Sequence, residues 1–144
     1  MEPITDAVSL RERIRSLFPT DIIPGASVEI IEVEHEAGLT ELRFITEAEA
    51  ANQLGFVQGR LVATMLDGCM GTAGAAASGG VLAMPMAEFK ANFVRPVPVG
   101  VVRGQGRTVR LGRTVAFLEG VLFDEAGRTL ATASGTAVPT PFPD

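Results

Sequence analysis

Residues Asn52 to Ser78 read NQLGFVQGRLVATMLDGCMGTAGAAAS, a glycine-bearing loop running into one long Ala/Gly-rich segment. At about 100° per residue, Val62, Met65, Leu66, Cys69, Ala73 and Ala76 share one face of a helix, and Arg60, Thr64, Asp67, Gly71, Gly74 and Ser78 lie opposite. The first face is apolar and suits a core. The second is polar but small, and beyond Arg60 it lacks the Lys and Glu that mark a solvated helix surface. Something is expected to pack closely against it. Leu61 to Met86 is apolar enough to raise the question of a membrane span, but Asp67 lies inside it and Gly and Pro interrupt it, which favours a buried helix and no membrane.

Upstream, Val8 to Phe18 carries Val8, Ile14, Leu17 and Phe18 at helical spacing, with arginines and Glu12 between them and Pro19 just past the end. This predicts a short amphipathic helix. Ile22 to Ser27 (IIPGAS) turns the chain. Ser27 to His35 and Leu39 to Ile45 then alternate about the turn Glu36-Ala37-Gly38, a hairpin pattern. Downstream, Ser78-Gly79-Gly80 supplies residues that end helices. Met86 to Phe93 follows as a half-buried strand with Ala87, Phe89, Ala91 and Phe93 on one side. Arg95 to Gly100 breaks it. Val101 to Leu111 and Thr114 to Phe123 flank a tight Gly112-Arg113 connection. Asp124 to Gly127 turns into a last strand, Thr129 to Val138, and Pro139, Pro141 and Pro143 end regular structure.

The order is a short helix, two strands, a long helix and four strands. Hairpin-joined strands make an antiparallel sheet, and a sheet curved around one small-residue helix gives close backbone contact. That arrangement is the α+β hotdog fold, a curved antiparallel sheet of about six strands wrapped around one long central helix. Residues 1–144 read as one such domain, with 1–26 as helix and lead-in and 139–144 as a tail.

The chain is 47% hydrophobic and 20% charged, with a net charge of -5 and one cysteine. The charge divides unevenly, -7 over residues 1–80 and +2 over 81–144. This argues against a nucleic-acid partner and leaves the second half suited to a small anion. A single Cys69 excludes an intrachain disulfide, and MEPITDAV has no signal-peptide pattern, so a reduced, cytoplasmic setting is expected.

Beyond this generic reading, Ser27 to Val138 resembles the phenylacetate-degradation (PaaI-like) hotdog-fold acyl-CoA thioesterases. Their Asn-x-x-Gly-x-x-His-Gly-Gly, followed by Asp nine residues after the His, is similar to Asn52, Gly55, Gln58, Gly59, Arg60 and Asp67. Their Asn-Phe-x-Arg-Pro…Gly pattern is matched by Asn92, Phe93, Arg95, Pro96 and Gly100. A later Gly-Arg pair is matched by Gly112 and Arg113, and Asp124 to Arg128 matches their last hairpin with one extra residue. The departures are Gln58 for the His and Arg60 for the second Gly.

The resemblance implies thioester hydrolysis. Such a reaction needs an activated water or a carboxylate nucleophile, and donors aimed at the developing oxyanion. Asp67 is expected to supply the first, and backbone N–H groups at Gly59 and Arg60 the second, since a helix N-terminus favours negative charge. Gln58 and Asn52 would orient the loop or the thioester, with the Gln58 amide able to donate as a neutral His does. Arg60 would crowd the site or contact an acidic substrate or a partner chain. Thr64, Gly71, Arg95, Gly112 and Arg113 are the expected substrate contacts, with Gly71 and Gly74 leaving room for an acyl group. Arg113 is the best match to coenzyme A phosphates. Strict alternation puts Arg103 and Arg107 on one face of their strand and Arg110 on the other.

Cys69 lies on the apolar face and reads as a buried structural thiol, and His35 as an exposed strand-end residue. No metal site or cofactor is expected beyond the coenzyme A of the substrate. The family implies a homodimer or homotetramer with shared sites. The competing reading is a non-catalytic hotdog protein that binds acyl-CoA or only assembles, as the replacements at Gln58 and Arg60 would allow.

Overall fold

The computed structural model describes residues 1–23 and 25–144. Pro24, within the expected IIPGAS turn, lies outside the described residues. Helix α1 (Ala7–Leu17) begins at Asp6, whose side chain accepts the Ser9 N–H at 2.8 Å. Such a cap satisfies one of the free donors of a first turn. Strands β1 (Asp21–Ile23), β2 (Ala26–Glu34) and β3 (Leu39–Thr46) follow, then a 3-10 turn (Ala48–Ala50) and the long helix α2 (Gly59–Ala77). The chain continues through β4 (Leu82–Ala83), β5 (Met86–Phe93), β6 (Gly100–Leu111), β7 (Ala116–Phe123), β8 (Thr129–Ala137) and β9 (Thr140–Pro141).

Seven strands form one antiparallel sheet in the order β1-β2-β3-β6-β7-β8-β5. It is the expected six-stranded hotdog sheet, with β5 at one edge and an additional three-residue strand, β1, at the other. A separate pair, β4 with β9, was not expected, because the prolines there suggested an end to regular structure. Proline does occur in strands at an edge, where its missing donor is not needed. Helix α1 packs on β2, where Leu10 and Ile14 are buried and Arg15 Nη2 donates to the Ile30 carbonyl at 2.9 Å.

Helix α2 lies in the curve of the sheet with Val62, Met65, Leu66, Cys69, Ala73 and Ala76 buried. The close approach depends on strand glycines as much as on the helix's own small residues. A Cβ on Gly106 would overlap the Cys69 carbonyl, and one on Gly104 would come within 2.6 Å of the Cys69 sulfur. A Cβ on Gly120 would stand 3.3 Å from the Leu66 carbonyl oxygen, a tight contact without overlap. Glycine inside a strand commonly marks another backbone passing close by. Gly79 and Gly80 end the helix at φ +72 and +77, with Gly80 N–H donating to Ala75.

Three local expectations are corrected. The register of β6 against β7 shifts between Thr108 and Arg110, and Arg110 pairs with exposed Phe117. One extra residue reverses the alternation, so Arg110 joins Arg103 and Arg107 on the outer face. His35 is half-buried, its Nδ1 donating to the Ala76 carbonyl at 2.9 Å near the end of α2. The connection after β6 is a four-residue loop closed by Gly112 N–H to Val115 O, not a two-residue turn.

Candidate active site

The loop before α2 is built by Asn52. Its Oδ1 accepts the N–H groups of Leu54 at 2.9 Å and Phe56 at 3.2 Å, a local turn that Asn and Asp side chains favour. Gly55 follows at φ +83, and Val57 N–H donates to the Val97 carbonyl, docking the loop on the β5–β6 connection. Gln58 N–H reaches Ala50 O. The start of α2 is thereby held from both sides.

Gln58 is the cap residue, but its side chain does not cap. Its carbonyl accepts from Leu61 and Val62. Among the described residues, the N–H groups of Gly59 and Arg60 have no partner. They form the unpaired donor pair that a helix N-terminus offers to an anion. The Gln58 amide is occupied: Nε2 donates to Ala51 O at 3.3 Å, and Oε1 accepts from Arg60 Nε at 2.8 Å. The two residues that depart from the family pattern therefore hold each other. Phe93 lies on the helix side of β5, but at the sheet edge α2 does not cover it. It is 58% exposed, and its ring lies beside Gly59.

Asp67 sits two turns along α2 on the face turned away from the sheet. It is exposed in the single chain, yet neighbouring helix and side chains desolvate its carboxyl enough to raise its pKa above the ordinary 3.8. A carboxylate shifted that way is a stronger base. Thr64, three residues before it, spends its hydroxyl on the Arg60 carbonyl at 2.9 Å. Gly71 and Gly74 are buried under the chain's own side chains: Phe18 covers Gly71, and Met84 fills the place of a Gly74 Cβ. The polar face is therefore closed by the chain itself toward its C-terminal half. The open space beside Asp67 is at Gly68, where a Cβ would meet nothing within 4 Å. Next to it, Thr64, Gly68 and Thr72 line a cavity with Phe18, Pro19 and Phe44. Neither Gly68 nor Phe18 was singled out from the sequence; the bare helical glycine beside an acid was the available signal.

The expected cationic contacts are spread out. Arg95 donates to the Thr129 carbonyl at 2.6 Å. Arg113 is exposed and, among the described residues, makes no ion pair or side-chain hydrogen bond. Gly112 and Arg113 lie past the far end of β6, roughly 35 Å along the strand from Gly100 and the start of α2. One chain does not bring Arg113 to Gly59. Cys69 is fully buried and burial pushes its thiol well up, which removes it as a nucleophile. Among the described residues no group of three or more His, Cys, Asp or Glu side chains is placed to hold a metal, and no helix is long and apolar enough to cross a membrane.

A long helix held in a curved antiparallel sheet is the frame of a hotdog fold. The chain belongs to the thioesterase superfamily, whose family model matches residues 54–131. It is 33% identical over 114 residues to the proofreading thioesterase EntH of Klebsiella pneumoniae, covering 78% of this chain and 83% of that protein. Among solved structures it is similar to a phenylacetic acid degradation-related protein of Ralstonia eutropha, with 27% identity, TM-score 0.74, and coverage of 90% of this chain and 98% of that one. A Streptococcus mutans protein solved with acetyl-CoA shares the fold at TM-score 0.71 and 18% identity, over 82% of this chain and 92% of that one.

Proposed function

We propose that this protein hydrolyses acyl-CoA thioesters, with Asp67 activating the attacking water and the Gly59 and Arg60 N–H groups holding the oxyanion. The observation that carries the reading is the unpaired donor pair at the start of α2, on the same helix as a desolvated acid. The carboxylate takes a proton from water as the water oxygen attacks the thioester carbon. The tetrahedral oxygen draws on the two N–H groups, and the coenzyme A thiolate leaves and takes up the proton. No further cofactor enters this scheme. The acetyl-CoA held by the Streptococcus mutans protein agrees with coenzyme A as the carrier.

In this reading the site is shared between two copies. At 1.5 Å rise per residue, Asp67 lies about 10–12 Å along the axis from the Gly59 and Arg60 N–H groups. A carbonyl held about 3 Å from those donors leaves most of that distance to be bridged by a water bound to Asp67 of the same chain. Two α2 helices laid antiparallel set the donors of one copy beside Asp67 of the other. The same pairing gives Arg113 of a second copy a route to the coenzyme A phosphates that its own chain denies it. Asn52 and the Gln58–Arg60 pair act as positioning residues for the donors.

The test is thiol release from aryl and aliphatic CoA esters. Asp67→Asn at matched oligomer size is expected to lose at least about a hundredfold, and Gly59→Pro, which removes one donor at a position proline tolerates, about the same. Mixing the two inactive variants restores turnover if each mixed dimer keeps one intact site. Turnover unaffected by Asp67→Asn would overturn the mechanism, and mixtures as inactive as the parents would overturn the sharing.

A further inference from the structure

The cavity beside Asp67 has a volume of about 130 Å³ and reaches from Gly68 to the ring of Phe18. We infer that it receives the acyl group, and that it selects an unsubstituted apolar group of about six carbons. This inference rests on the thioesterase reading above. An apolar cavity of roughly 150 Å³ takes up benzene, which sets the size. Its chemistry follows from the walls. Val28, Ile30, Leu42 and Phe44 come from the inner face of β2 and β3, and no charged side chain lines it.

The two hydroxyls in the wall are already committed. Thr64 donates to Arg60 O, and Thr72 lies within hydrogen-bond distance of Gly68 O and Thr40 Oγ1. With the wall's hydroxyl hydrogens spent, a charge, carbonyl or other acceptor on the acyl group would find no free donor there, and an unpaired polar group in such a site is strongly disfavoured. The mouth is open because residue 68 is glycine, with nothing within 4 Å of where its Cβ would stand. Asp67 does not line the cavity, but Thr64, three residues before it and its neighbour on the helix surface, does, so the opening reaches the carboxylate's side of α2.

Phe18 closes the other end. Beyond the Phe18-Pro19 wall lies a second groove of about 240 Å³, bordered by Arg15, Thr20 and Glu29 and sharing Val28 and Ile30 with the first. Phe18 thus divides one longer trough into two and limits the chain length. Each methylene moved out of water is worth about fourfold, so the preference should climb from acetyl to hexanoyl and then stop.

The experiment measures kcat/KM on acetyl-, butyryl-, hexanoyl-, decanoyl- and benzoyl-CoA for the full chain, Gly68→Leu and Phe18→Ala. The wild type is expected to peak near hexanoyl or benzoyl. Gly68→Leu should lower the hexanoyl-to-acetyl ratio at least tenfold, and Phe18→Ala should raise the decanoyl-to-hexanoyl ratio at least tenfold. Turnover with an unchanged chain-length profile in both variants overturns the pocket and leaves the enzyme reading intact. If no ester is hydrolysed, the enzyme reading fails, and calorimetry with a non-hydrolysable hexanoyl-CoA thioether decides the pocket alone. Binding weakened tenfold by Gly68→Leu upholds it; binding indifferent to both substitutions removes it.

Discussion

Glycines lie on both sides of α2, and the two sets differ in what replaces their missing side chains. Beneath the helix, Gly104, Gly106 and Gly120 are filled largely by α2 itself, by the Cys69 and Leu66 carbonyls and the Cys69 side chain. Above it, Gly71 and Gly74 are filled by the side chains of Phe18 and Met84, and Gly68 by nothing. The comparison teaches that one residue type serves three ends here. Under the helix it fixes a distance between backbones, over it it accepts movable side chains, and at one position it leaves a space.

Substitutions to alanine should separate these in descending order. Gly106→Ala drives a Cβ into a carbonyl that cannot move without the helix, and a loss of about 4 kcal/mol or more is expected, read as failure to accumulate soluble protein or as an early urea transition. Wild-type stability there would break the comparison at its strongest point. Gly74→Ala meets only Met84, a flexible side chain, so the crowding is partly offset by better helix propensity and a net loss of about 1 kcal/mol should be measured by denaturation. Gly68→Ala has no neighbour to crowd and should gain up to about 0.8 kcal/mol. A loss at Gly68 would mean the space is not empty.

The smallest effect concerns the acid beside that space. Because folding raises the Asp67 pKa above 3.8, the unfolded chain ionises more readily, and the carboxylate costs stability at neutral pH. Below pH 3.8 both states are protonated and the cost disappears. Asp67→Asn should therefore melt slightly higher than wild type at pH 7 and equally at pH 3. An equal melting point at both would show that Asp67 is as well solvated folded as unfolded.

Much of the architecture was legible because period and punctuation agreed. The apolar face of α2 and the alternation in β2, β3 and β5 specified element type, turn residues placed β7 and β8, and Gly79-Gly80 the helix end. The site was legible in part. The donor pair and Asp67 follow from the position of one loop and one face, but what covers the rest of that face was not readable, since Phe18 and Met84 come from segments that lie on it only after folding. The side of Arg110 was lost to a single-residue bulge, which leaves no mark in the alternation. The spacing Gly104-x-Gly106 did carry a signal, two bare positions on one face of a strand, and it points to the helix crossing there.

The strand order has a consequence in time. The hairpin β2–β3 and the meander β6–β7–β8 are local and can form within microseconds. The sheet is complete only when β3 finds β6, a pairing that Thr46 Oγ1 fastens with a bond from Gly100 N–H, 54 residues away. Such distant pairing places folding in the millisecond-to-second range. Throughout that interval α2 can rest on β6 and β7, where Gly104, Gly106 and Gly120 lie, while the β2–β3 part of its floor is missing. The segment most enclosed at the end is left partly bare on the way, and the closing of that seam ends its exposure to other chains.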